Sequence, residues 1–114
     1  MMDEVLREIN NIEGIEGSML LASDGLVISA RLPAEYAEGM STALVAELCR
    51  GVEAKTASID KGRFIAGYVF AESGNLIYFQ SPDFILAVLT SASANIGALR
   101  LALRKTAKEL LRKM

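Results

Sequence analysis

Histidine and tryptophan are absent from this chain of 114 residues, there is a single cysteine, and the net charge is only −2. Each scarcity excludes something. Without histidine there is no side chain whose ordinary pKa suits a general base near neutrality. With Cys49 as the one thiol, the usual Cys/His zinc sets cannot be assembled and an internal disulfide is impossible. A nearly balanced charge offers no electrostatic case for nucleic acid. No stretch approaches the ~20 apolar residues of a membrane span, and neither GxxxxGK[ST] nor GxGxxG is present to cradle a nucleotide. Carboxylates remain, but their spacing locates no acid–base pair. No catalytic residue, metal ligand or cofactor is therefore expected. The opening Met1-Met2-Asp3-Glu4 is acidic and precedes no long apolar run, so a secretory signal is not expected and a cytoplasmic location is.

What is present is apolar and patterned. Hydrophobic residues make up 52% and charged ones 23%, too apolar for disorder. The length suits a single domain over residues 1–114 with a real core. In "DEVLREINNI", Val5, Leu6, Ile9 and Ile12 recur at helical spacing, and Gly14 ends the helix. Residues 18–22 and 26–31 read as strands around Ser23-Asp24-Gly25. Asp24 could hold a metal or a phosphate-bound magnesium, or it could only turn the chain. Asp-Gly between apolar runs is a hairpin signal, which favours the turn.

Residues 34–55 form the longest helix candidate, with Pro33 ahead of it and Glu35 and Glu38 in its opening turns. Tyr36, Met40, Leu44, Leu48 and Val52 follow one face, whereas Ala43, Ala46, Cys49 and Gly51 line another. A helix apolar on two faces calls for two partners, the sheet and a second subunit, unless the small residues are ordinary helix formers. Cys49 reads as a small buried hydrophobe.

The second half is a meander: 63–72, 75–80 and 84–91, linked too briefly for parallel crossovers. These strands are apolar on both faces, as in Leu76-Ile77-Tyr78-Phe79, which implies cover on both sides. A last helix over 95–114 carries Ile96, Leu99, Leu103, Ala107, Leu110 and Met114 as its buried stripe. The expected fold is α+β: a five-stranded antiparallel sheet with helices on both faces, in the order α-β-β-α-β-β-β-α. Charge is uneven along it. Residues 1–16 hold five acids against Arg7, net −4; residues 95–114 hold six bases against Glu109, net +5. The basic end is either a docking site for an acidic partner or a solvated face that attracts the acidic first helix.

With this element order, "INNIEGIEGSMLLASDGLVIS" and "GNLIYFQSPDFILAVLTSASANIGALRLALRKTAKEL" resemble the Roadblock/LC7 (dynein light chain) superfamily, in its prokaryotic MglB-like branch. The resemblance is carried by Ile15, Gly17, Asp24 and Gly25, and by Asn95, Gly97, Arg100 and Leu103. It implies a homodimer in which the long middle helices pack together and the third strands pair, joining two sheets, with the first and last helices on the opposite face. It also implies no catalytic centre, no cofactor and a small Ras-like GTPase as partner. On that analogy the dimer candidates are Ala43, Ala46, Cys49, Arg50, Arg63, Ile65 and Gly67. The candidates for GTPase contact are Glu35, Glu38, Thr42, Glu47 and Arg50. Stimulation of GTP hydrolysis would come without an arginine finger from Arg31, Arg50 or Arg63. The alternatives are an adaptor subunit with no effect on hydrolysis, and a sensor of anionic ligands through the basic last helix.

Overall fold

The computed structural model describes residues 2–36, 38–62 and 65–113, without the side chains of 2–3, 38–41, 107 and 110–113. Arg63, Met114 and the side chains of Glu38, Met40, Ala107 and Leu110 thus lie outside the described residues. The elements follow the expected order: α1 (Met2–Asn10), β1 (Ile15–Ala22), β2 (Val27–Arg31), α2 (Glu38–Ser58), β3 (Ala66–Ala71), β4 (Gly74–Gln80), β5 (Phe84–Ser91) and α3 (Ile96–Lys113). The five strands make one antiparallel sheet in the order β2-β1-β5-β4-β3.

The two-sided apolar strands are explained by two cores, one on each face. Val5, Leu6 and Ile9 of α1 and Leu99 and Leu103 of α3 pack on Leu20, Ile77, Phe84, Leu86 and Val88. On the other face Val45, Ala46 and Cys49 of α2 pack on Met19, Leu21, Tyr78, Ile85 and Ala87. Successive residues of a strand point to opposite faces, so Leu20 enters one core while Met19 and Leu21 enter the other. Ser18, buried on the α1 face with Leu20, donates to Asn10 Oδ1 at 2.6 Å, and Asn10 Nδ2 donates to the Arg31 carbonyl at 3.1 Å. One polar side chain thereby ties the end of α1 to both strands of the hairpin.

Several boundaries differ from the sequence expectation, each for a local reason. β1 begins at Ile15 rather than 18, because Ile15 pairs with Thr90 across an irregularity before Gly17. Residues 34–36 form a turn closed by Tyr36 N–H to the Pro33 carbonyl, which delays α2 to Glu38. The helix then runs past Lys55 to Ser58. It ends in a Schellman motif: Lys61 N–H bonds the Thr56 carbonyl, Asp60 N–H bonds that of Ala57, and Asp60 takes φ 61°. Asn95 precedes α3 and caps it, its Oδ1 accepting from Ala98 N–H at 3.1 Å.

Candidate interaction surface

The features that could meet a partner lie on α2 and on the free edge of the sheet. β3 is one of the two edge strands, and its outer backbone edge pairs with no other strand among the described residues. Gly67 and Val69 pair with Tyr78 and Leu76, which face α2, so Gly67, Val69 and Ala71 share that face. Val69 and Ala71 are exposed there, showing that α2 stops short of the edge strand. Gly67 is occupied within the chain, since a Cβ at this position would collide with the Tyr78 ring. Ile65, just ahead of β3, is 74% exposed.

The orientation of α2 follows from its contacts. A Cβ on Gly25, in the β1–β2 turn, would stand 3.1 Å from Ala46 Cβ and 3.5 Å from the Arg50 guanidinium. That flank therefore looks over β2. At about 100° per residue, Leu48 and Val52 fall on the opposite flank, toward β4 and β3. Glu53, seven residues on from Ala46, faces the sheet with it and accepts a hydrogen bond from Gln80 Nε2 at the end of β4. The β3-side flank is apolar and open: Leu44 is 60% exposed, Ile59 is 64% exposed, and Leu48 is also exposed. With Gly51, Val52 and Lys55 they line a shallow groove. The β2-side flank carries Ala43 and Arg50, both exposed, whereas Glu47 also lines the groove.

The structure divides both faces read from the sequence: Ala43 and Gly51 of the small-residue face stay exposed, and Val52 of the other is partly buried against the sheet. Ala46 and Cys49, expected at a subunit contact, are buried against the sheet. Thr42, expected to touch a partner, is buried as well. The physical reason is distance: Met19, Leu21, Tyr78 and Ile85 fill the sheet face, so α2 can settle on it only through short side chains. The large residues Leu44 and Leu48 are left outside. Burial pushes the Cys49 thiol up to about 11, and Glu53 adds to the rise while Arg50 opposes it. The Tyr78 hydroxyl is raised too, by burial first and then by Cys49. Neither is a nucleophile at neutral pH. Asp24 holds its own turn, Oδ1 accepting from Leu26 N–H at 3.1 Å, beside Gly25 at φ 97°. Glu35 is exposed on the turn before α2. Leu44 and Ile59 were missing from the sequence candidates, although the i, i+4 run Leu44, Leu48, Val52 was visible.

The chain matches the Roadblock/LC7 domain family over residues 1–90. It belongs to the Roadblock/LC7 family. A relative from Methanocaldococcus jannaschii, the uncharacterized protein MJ1340, is 33% identical over 110 residues, 96% of either chain. Among solved structures, Myxococcus xanthus MglB superposes with a TM-score of 0.89 at 17% identity, covering 97% of this chain and 92% of that one. The Roadblock/LC7 domain from Streptomyces avermitilis gives 0.87 at 20% identity, over 97% and 95%. At such identities these two likenesses speak for the Roadblock/LC7 fold alone. Among the described residues, no helix is long and apolar enough to cross a membrane.

Proposed function

We propose that this Roadblock/LC7 chain is a cytoplasmic homodimeric regulatory module that holds a small Ras-like GTPase against its paired α2 helices. The observation that carries the reading is the open apolar flank of α2 beside an unpaired strand edge. Exposed strand edges invite pairing with another chain, and contiguous exposed apolar residues mark protein contacts. In the dimer, Leu44, Leu48 and Ile59 meet their counterparts while β3 pairs with β3. The likeness to MglB, one form of which has a tetrameric arrangement, supports assembly through this fold. Arg50, on the other flank, remains free for the GTPase.

Light scattering on the purified protein is expected to show a dimer at micromolar concentration, and a monomer would overturn the assembly. The second test is single-turnover GTP hydrolysis by the Ras-like GTPase encoded nearest this gene, with and without the protein. Acceleration is expected. Stable binding with no change in rate would make the protein a scaffold, and no capture of the GTPase would remove this partner class.

A further inference from the structure

A cleft of about 300 Å³ lies between α3 and the end of the sheet formed by β3, β4 and β5. It belongs to the sheet face opposite α2, so it is separate from the surface described above. Its floor includes the side chains of Tyr68, Phe79 and Phe84, and its rim is Arg100, Arg104 and Lys108. The three cations stand four residues apart on α3, which stacks them along one flank of the helix, next to the buried Leu99 and Leu103. Among the described residues, no acidic side chain lines the cleft. The Gln80 side chain points to the other face of the sheet, where its amide nitrogen donates to Glu53 of α2.

We propose that this cleft binds a small amphipathic anion, a carboxylate carried on an acyl or aromatic body. The floor sets the body and the rim sets the charge. A bare phosphate would leave the aromatic floor uncovered, and an apolar molecule would leave three cations facing it. The volume is at the small end of ligand sites, roughly 300–1,000 Å³. An intruding helix, about 10 Å across, is too wide for it. The proposal stands apart from the GTPase reading, since either can fail without the other.

Decanoate is the probe, titrated into the ¹⁵N-labelled full chain and followed by amide shifts. Binding below about 1 mM is expected, with shifts confined to residues 65–68, 79–84 and 100–108. Decylammonium, of the same length and opposite charge, should bind at least roughly tenfold more weakly. The variant Arg100→Glu/Arg104→Glu changes only exposed positions and should lose roughly tenfold or more while keeping its melting temperature. Ala66→Trp, also at an exposed position, should block the cleft from the other side. The proposal is overturned if decylammonium binds as well as decanoate, or if the shifts centre on residues 44–59 of α2. It is equally overturned if an acidic peptide binds the cleft and decanoate does not, which would make it a protein-docking groove.

Discussion

The Asp24 carboxylate accepts from Leu26 N–H within its own turn, while Gly25 N–H bonds the Ala22 carbonyl at 2.9 Å. Asparagine can make the same bond. Asp24→Asn should therefore keep the melting free energy within about 0.5 kcal/mol and retain GTPase capture; lost capture at unchanged stability would restore a ligand role. Gly25→Val combines a left-handed φ with a Cβ close to Ala46, and should cost roughly 1–3 kcal/mol in denaturant unfolding. Cys49 supplies a pH-dependent prediction. Its folded pKa, about 11, lies above the ordinary 9.0, so between these values the unfolded chain gives up a proton that the folded chain keeps. Stability from this group is full below pH 9 and is lost as pH rises toward 11, by at most about 2–3 kcal/mol. Tyr78, also raised, acts in the same direction. At pH 8 Ellman's reagent should modify Cys49 only as fast as the protein opens. Immediate labelling would show an accessible thiol.

At the scale of the element, α2 carries the decisive contrast. Leu48→Glu places a charge on the exposed flank and should yield a folded monomer, with unchanged far-UV circular dichroism and half the mass by light scattering. Ala46→Glu, two residues away and on the other side of the helix, buries a charge between helix and sheet. An unpaired buried charge costs roughly 3–5 kcal/mol, so this variant should be largely unfolded. If both gave folded monomers, the burial of Ala46 would be in error. β3 is the other half of the same surface, and Val69→Lys on this edge should weaken dimerisation in the manner of the charged residues that guard natural sheet edges.

Across the whole molecule, the sheet separates two working faces. α2 and the β3 edge occupy one; α1 and α3 lie together on the other, where the acidic first helix and basic last helix are in contact. Arg50 sits over the β1–β2 turn and Arg31 at the far end of β2, so the two cannot serve one phosphate together. Neither is on a long loop. Any stimulation of the GTPase is expected to come from ordering its own residues. Arg31→Ala and Arg50→Ala should each leave the rate at saturating protein within about tenfold, ~1.4 kcal/mol or less. A thousandfold loss for either would put that arginine in the active site, where such a residue is worth ~10³–10⁵.

The element order, the hairpin at Asp24-Gly25 and the two-sided cover of the sheet were legible in the sequence, because they rest on local periods and on turn chemistry. Continuous apolar runs in β4 and β5 need no knowledge of neighbours. The roles within α2 were not legible. Both its flanks are apolar, and local pattern cannot say whether Leu44 and Leu48 or Ala46 and Cys49 meet the sheet. That choice depends on how much room the side chains of strands far off in the sequence leave beneath the helix, and only the folded molecule sets it. The end of α2 was hidden for a related reason: its left-handed capping residue is Asp60, where a glycine would have announced the stop. The cleft under α3 is tertiary altogether. It requires Tyr68, Phe79 and Phe84, from three strands, to share a face with Arg100, Arg104 and Lys108, a proximity that arises from strand pairing and helix packing and from no motif in the chain.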